Sequence, residues 1–333
     1  MSNNNEPLVV SIMCLAYNHE PYIRQCLEGF VMQKTNFRFE AIVHDDASID
    51  GTTAIIREFE KKYPDIIKPI YECENQYSKR DGSIERIMDN ACKGKYIALC
   101  EGDDYWIDPL KLQKQVDYLN SHPNCGLVYT AYRKKNEVTG QILDISTAAS
   151  IKFDDTFKWS VLEQKVMVGT CTTMFKSDLY KEIKTIKDDF IGFLMGDTQL
   201  WFHFARLSSV GYIPEVMCVY RKNENGVTAG FNPTRRATFI RNCLDLHLHL
   251  GYKYGAPKRT IDNIKTAFGR SLMQIYLSAQ DYPKAQDINR SIFNNNIIIE
   301  QVLILTKKLK LKRIVGLRTL VMLLRMVKVL ELR

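Results

Sequence analysis

Along the first 130 residues, short unbroken apolar runs alternate with stretches whose apolar positions recur every three or four residues, the pattern of strand–helix–strand units around a mostly parallel sheet. "LVVSIMCLAYN" (8–18) reads as a first buried strand, and "PYIRQCLEGFVMQ" (21–33) as a helix opened by Pro21. "FEAIVHDD" (39–46) reads as a second strand. It is followed by "SIDGTTAIIREFEKKYP", a helix whose Ile55, Ile56 and Phe59 share a face and which stops before Pro64. "IIKPIYE" (66–72) is a third strand, "DGSIERIMDNACKGK" a helix with Gly94 at its exit, and "YIALC" a fourth strand. Asp108-Pro109 is expected to open the next helix, with Asp108 as N-cap, and Pro123 to end it near Ser121.

From residue 125 the pattern changes. "GLVYTAYRKKNEVTGQILD" reads as strand, turn and strand, "VMVGTCTTMFK" (166–176) as another strand and "GYIPEVMCVYR" as a late one, so the sheet is mixed. Residues 235–296 have helical periodicity, with two amphipathic helices joined at Asp281-Tyr282-Pro283. The expected organisation is a catalytic domain over 1–230, a helical region over 231–296 and a basic amphipathic tail over 297–333.

Charge sharpens this division. The formal net charge is +8, and residues 301–333 alone carry nine Lys/Arg against the single acid Glu331, so the rest of the chain is balanced. Nine cysteines occur without any C-x-x-C spacing and mostly in apolar surroundings, the usage of reduced core thiols in a cytosolic protein. "MSNNNEPLVV" has no basic segment before its first apolar run, so no signal peptide is expected, and no uncharged apolar stretch approaches the roughly 20 residues of a spanning helix.

Acids recur where the strands end: Asp45-Asp46 after "EAIV", Glu101, Asp103 and Asp104 after "YIALC", and Asp197 in "FLMGDTQLW". In an open parallel sheet the carboxyl ends of the strands flank the ligand crevice. Carboxylates gathered there repel one another unless a divalent cation such as Mg²⁺ or Mn²⁺ lies among them, with phosphate oxygens completing its shell. A lone pair such as Asp45-Asp46 also has a plainer use, capping a turn.

Four blocks in order, "VSIMCLAYNHEPYIRQCLEGF", "VHDDASIDGT", "GKYIALCEGDDYWIDPLKLQKQVDYL" and "GDTQLW", resemble glycosyltransferase family 2, the nucleotide-diphospho-sugar transferases of GT-A type fold. The resemblance covers roughly residues 7–225. It implies an α/β, Rossmann-like mixed sheet flanked by helices, here with a C-terminal helical extension, inverting chemistry, a nucleotide-sugar donor and Mn²⁺ or Mg²⁺ as cofactor. By the same resemblance Ala16, Tyr17 and Asn18 border the nucleotide, with Tyr17 near the base, and Asp45 or Asp46 accepts a hydrogen bond from a uracil or thymine imide. Glu101-Gly102-Asp103 stands where the family has D-x-D: Asp103 is the first candidate metal ligand, Asp104 the second, and Glu101 a longer acid in place of the first Asp. Asn223 stands where relatives often carry a metal-site His. Asp197 matches the general base, and Arg221 and Lys79-Arg80 are candidate diphosphate partners. Trp106 is the best placed of Trp106, Trp159 and Trp201 to stack on a sugar, with core packing as the alternative for each.

His247 and His249, two apart, point to different sides of a helix and cannot chelate together; His19 and His44 either line the donor pocket or are structural. The tail places Leu309, Leu317, Leu320, Leu323, Leu324, Val327 and Leu330 on one side and most of its cations on the other. That suits a helix lying on an anionic membrane, or one packing on protein. The expected partners are the donor, a saccharide or lipid-linked acceptor and, through 301–333, an anionic membrane surface. No nucleic acid is expected, and the location is cytoplasmic with peripheral contact at the inner face of the plasma membrane. The rival readings are a nucleotidyltransferase of related fold, for which "CLAYNHEP" lacks a Gly-rich basic loop, and a non-enzymatic protein binding through its basic tail, which has no use for acids at three strand ends.

Overall fold

Strand β1 (Leu8–Ala16) is apolar at almost every position because it is the middle of a sheet. On one side it pairs in parallel with β2 (Arg38–Asp45), and β2 in turn with β3 (Ile67–Tyr71). On the other it pairs in parallel with β4 (Tyr96–Leu99). The computed structural model describes residues 7–147, 150–223, 232–294, 299 and 303 of the chain.

Val10, Ile12, Cys14 and Ala16 of β1 are buried in one cluster with Ile23, Cys26, Leu27 and Phe30 of helix α1 (Ile23–Val31) and Ile56 and Phe59 of α2 (Thr52–Lys62). Burying a side chain of this size stabilises by roughly 1.5–3 kcal/mol, which is why one face of each helix is committed to the sheet. Eight of the nine cysteines are buried and Cys73 is exposed.

The remaining strands make the sheet mixed. After the helix α3 (Ser83–Ala91) and β4 come the short β5 (Tyr105–Trp106), helix α4 (Lys111–Ser121), β6 (Cys125–Asn136) and β7 (Ile142–Ile145). Helix α5 (Phe157–Leu162), β8 (Met174–Lys176), helix α6 (Ser177–Lys184), helix α7 (Asp197–Leu207) and β9 (Ser209–Lys222) follow. The strand order is β3-β2-β1-β4-β8-β6-β9-β5, with β7 on β6; β8 runs antiparallel to β4 and β6, and β9 is parallel to β6 and antiparallel to β5. The chain leaves β1 toward β2 and returns on its other side at β4, so the β1–β4 edge is the switch point where such sheets open a crevice.

Two expectations are corrected. Helix α4 begins at Lys111; Asp108 precedes it, its carboxylate accepting the Leu110 N–H (2.8 Å) and the Lys114 ammonium (2.8 Å) instead of capping. Of 166–176 only Met174–Lys176 is strand, because Thr170–Thr172 forms a 3-10 turn in which the Thr172 N–H and hydroxyl both donate to the Gly169 carbonyl (2.9 and 2.6 Å).

The chain divides into two compact units. One comprises Met1–Val161, Val166–Lys187 and Asp197–Glu224; the other Leu162–Lys165, Asp188–Gly196 and Asn225–Arg333. The second unit contains helices α8 (Pro233–Lys253), α9 (Lys258–Ser278) and α10 (Tyr282–Ser291), and Asp281 caps α10 by accepting the Lys284 N–H (3.3 Å). It thus takes up two short segments from within the first 230 residues. Asp189 there is fully buried and accepts from His249 (2.7 Å), Lys253 (2.8 Å) and Tyr254 (2.6 Å) of and after α8. His247 meets the Leu162 carbonyl (2.6 Å), so the two α8 histidines each serve a separate structural contact. Among the described residues no helix is long and apolar enough to cross a membrane. The basic tail, 301–333, lies outside the described residues apart from Leu303.

Candidate functional site

Beyond β4 the chain keeps to the flank of β1: the Cys100 N–H donates to the Met13 carbonyl (3.1 Å) and the Gly102 N–H to that of Leu15 (2.8 Å). This fixes Glu101-Gly102-Asp103 beside the end of β1. Only glycine fits at 102, because a Cβ there would stand 2.8 Å from His19 Nδ1, 3.0 Å from Ile23 Cδ1 and 3.1 Å from Ala16 Cβ.

The loops after β1 and β2 are stitched to each other. The Ala16 carbonyl accepts the Asp46 N–H (2.9 Å), the Asn18 N–H donates to Ser48 Oγ (3.0 Å), and Asn18 Oδ1 accepts the Ile49 N–H (2.9 Å). Asn18 and Ala47 adopt the left-handed region (φ 53° and 60°), Ala47 without a side chain that favours it, so this junction holds strain of the kind concentrated at binding sites. Both carboxylates of the pair are already engaged. Asp45 takes the Ser48 N–H (3.1 Å) and the Thr53 hydroxyl, while Asp46 takes the Gln76 (2.6 Å) and Tyr77 (3.1 Å) N–H groups. The turn-capping use of these acids is therefore present, and each oxygen keeps a lone pair for a further donor. Tyr17 projects with 45% of its surface open, beside this junction.

The acidic loop closes onto β9. Asp104 is 2% exposed and accepts the Arg221 N–H (2.8 Å). Arg221, itself buried, donates through Nε to Glu137 (2.9 Å), through Nη1 to the Asp103 carbonyl (2.7 Å) and through Nη2 to Gln25, and its guanidinium lies 4.2 Å from the Tyr105 ring centroid. Arg221, expected as a diphosphate partner, spends three of its five guanidinium N–H groups on the acidic loop and its neighbours. The expectation for Trp106 is corrected: it is 2% exposed, its Nε1 donates to the Cys171 carbonyl (2.9 Å), and it packs edge-on against Phe30, so no ring face is open to a sugar. Trp201 is also buried.

Burial and mutual repulsion push these acids upward. Glu101 is raised to about 7 by burial first, then by the charges of Asp103 and Asp197. Asp104 is raised well above the carboxylate range by burial and by Asp103 and Glu101. Asp197, first residue of α7, is raised by burial although its own Oδ1 accepts the Thr198 N–H (2.7 Å). The charge of Asp197, 96 residues further along the chain, is the last of these influences on Glu101.

For a cation the donor set is short. Among the described residues no three His, Cys, Asp or Glu side chains gather to hold one. Asn223 Nδ2 donates to Asp103 Oδ2 (2.9 Å), and Asn223 Oδ1 is buried with no partner. An orphaned amide oxygen next to a carboxylate suits a hard cation that takes its other oxygens from a ligand. Lys79 is engaged with Glu74 (2.6 Å), and Arg80 beside it is exposed with a left-handed backbone (φ 52°). The scaffold partners Glu137, Gln25 and Tyr105 carried no sequence signal, because each meets Arg221 only through the fold.

A mixed sheet whose order switches at β1, with the Glu101–Asp104 turn fixed beside the end of that strand and the exposed Tyr17 following it, is the frame of the GT-A glycosyltransferases. The chain belongs to glycosyltransferase family 2: the model "Glycosyl transferase family 2" matches residues 11–183. It is 33% identical over 218 residues to an uncharacterised protein, Rv1520, of Mycobacterium tuberculosis, an alignment spanning 66% of this chain and 60% of that one. It is 27% identical over 257 residues to the putative teichuronic acid biosynthesis glycosyltransferase TuaG of Bacillus subtilis, spanning 67% of this chain and 98% of TuaG. The fold matches residues 1–349 of S. aureus TarS in complex with UDP-GlcNAc, at TM-score 0.55 and 14% identity over 88% of this chain and 90% of that one. It also matches the mannosyltransferase PcManGT of Pyrobaculum calidifontis in complex with GDP-Man and Mn²⁺, at TM-score 0.51 and 16% identity over 90% and 86%.

Proposed function

We propose that this chain is an inverting glycosyltransferase that moves a sugar from a UDP- or dTDP-linked donor to a hydroxyl of a saccharide or glycolipid acceptor in surface polysaccharide biosynthesis. The observation that carries it is the family 2 match over residues 11–183, together with the Glu101–Asp104 turn fixed beside the end of β1 by the bonds of Cys100 and Gly102 to that strand. TuaG's teichuronic acid role and the UDP-GlcNAc held by TarS support the donor and acceptor classes.

In this reading Tyr17 packs on the base, and Asp46, fixed by the Gln76 and Tyr77 N–H groups, offers a free lone pair to its imide. Asp197 takes the proton from the acceptor hydroxyl as that oxygen attacks the anomeric carbon, and a carboxylate raised toward neutrality is better matched to that task than one at 3.9. Asp103 and the orphaned Asn223 Oδ1 would hold Mn²⁺ or Mg²⁺, whose charge offsets that developing on the leaving diphosphate. Arg221 fixes the Asp103–Asp104 turn, its Nη1 donating to the Asp103 carbonyl and its main-chain N–H to the Asp104 carboxylate.

The test is a panel of nucleotide sugars, scored by thermal stabilisation and donor hydrolysis with Mn²⁺ and after EDTA. A UDP- or dTDP-sugar is expected to raise the melting temperature by several degrees with Mn²⁺ and by less after chelation. No stabilisation by any donor in either condition overturns the assignment.

A further inference from the structure

His19 follows Asn18, whose left-handed backbone folds the chain back over the end of β1. Its main chain is fixed on both sides: the N–H donates to Thr52 Oγ1 (2.8 Å), and the carbonyl accepts from Tyr22 and Ile23 at the start of α1 (2.8 Å each). The imidazole lies against Gly102, where an added Cβ would stand 2.8 Å from Nδ1. The glycine of Glu-Gly-Asp is therefore glycine because this ring occupies the space.

Nδ1 is buried under that glycine and has no hydrogen-bond partner. In such a place a bare lone pair is less costly than an unpaired N–H, so the ring proton belongs on Nε2, the other nitrogen of the neutral ring. Nε2 is not among the buried, unpartnered atoms. The charges that act on the ring are those of Asp103, Asp50, Arg221 and Asp45, which border the acidic loop and the nucleotide junction. Arg221 spends an N–H of each guanidinium nitrogen on Glu137, the Asp103 carbonyl and Gln25, whereas the His19 ring, packed against the Glu101–Asp104 turn, has no hydrogen-bond partner among the described residues.

We propose that His19 is a donor-binding residue, its Nε2–H giving a hydrogen bond to a diphosphate oxygen of the nucleotide sugar while its ring props the Glu101–Asp103 turn. This rests on the nucleotide-sugar reading above.

The experiment compares the full-length wild type with His19→Phe, which fills the space against Gly102 without an N–H, and His19→Gln, whose amide N–H reaches about as far as Nε2. UDP binding is measured by calorimetry and uridine binding by ligand-observed NMR, both with Mn²⁺, beside thermal unfolding. His19→Phe is expected to bind UDP about tenfold more weakly, the loss of one charge-assisted hydrogen bond, with uridine binding unchanged. His19→Gln is expected to stay within about threefold of wild type on the same grounds. UDP affinity of His19→Phe equal to wild type, or an equal loss for UDP and uridine, overturns the assignment of His19 alone. Failure of the wild type to bind UDP, dTDP or GDP overturns the nucleotide-sugar reading and this one with it.

Discussion

Arg221 is a residue whose importance depends on contacts the local sequence does not announce. Its guanidinium reaches Gln25 in α1, 196 positions earlier, along with Glu137 and the Asp103 carbonyl, while its N–H binds Asp104. Replacing it by Ala removes the group that joins Glu137, the Asp103 carbonyl and Gln25, while Lys135 stays on Glu137 (2.9 Å) and the main-chain N–H stays on Asp104, at a cost of about 1–3 kcal/mol in urea unfolding. Arg221→Lys recovers less than half of this, since one ammonium cannot span three acceptors. Asp197 makes a different prediction. Because burial raises its carboxyl, the acid limb of the transfer rate lies above the ordinary value of about 3.9, and activity falls as pH drops through it. Asp197→Asn removes that limb and lowers transfer by about 10²–10⁴-fold with donor affinity nearly intact. A pH profile and donor titration of both proteins check this; near wild-type turnover in the variant removes Asp197 from the mechanism. Asp45-Asp46 and Glu101–Asp104 were legible in the sequence because they stand at or just after the ends of β2 and β4, whereas Asp197 opens helix α7 and ends no strand, and the burial of Trp106 and the bonds of Arg221 are set by partners distant in the chain.

Elements were legible where periodicity was pure. β1, β2, β3 and β4 and the helices between them fall where the apolar runs place them, within a few residues at each end. Segment 166–176 misled, because its valines carry strand propensity while Gly169 and two threonines close a turn through side-chain bonds. The segment Asp188–Gly196 had no periodicity at all, and its place is set by α8: Asn242 holds the Leu194 N–H (2.7 Å) and the Gly192 carbonyl (3.2 Å), and Asp189 gathers His249, Lys253 and Tyr254. Those three donors outweigh burial and hold Asp189 down at about 2. A carboxyl depressed in the folded state contributes stability that is full above its unfolded value of about 3.9 and is lost as pH falls from there through about 2. Wild type is therefore expected to lose stability across that window, while Asp189→Asn starts lower by roughly 2 kcal/mol at pH 7 and shows a shallower decline. Urea unfolding at a series of pH values distinguishes the two; parallel curves would mean that Asp189 is not the titrating group.

At the scale of the whole chain, a cut near residue 230 looks natural in the sequence, yet the helical unit includes Leu162–Lys165 and Asp188–Gly196. Removing α8 to α10 strips Glu163 of Thr260 (2.7 Å) and Asn263 (3.0 Å), and Asp189 of His249, Lys253 and Tyr254, so the polar bonds that tie both inner segments to the helices are lost. A 1–230 fragment is accordingly expected to aggregate or to unfold well below the full chain in a thermal melt, and a fragment as stable as the parent would show that the catalytic unit stands alone. Charge is distributed by a different logic. The net +8 of the chain is the net charge of residues 301–333, so nearly neutral units carry one concentrated cationic segment with bulky aliphatics interleaved. Attraction to an anionic surface is worth about 1 kcal/mol per nearby Lys or Arg and is screened within a Debye length, so nine such residues give strong, salt-sensitive binding if they face lipid. The full chain is expected to float with vesicles containing phosphatidylglycerol at 0.1 M salt, to float far less with neutral vesicles, and to lose flotation when residues 301–333 are removed. Equal flotation of the full and the shortened chains would assign those nine cations to contacts with protein instead.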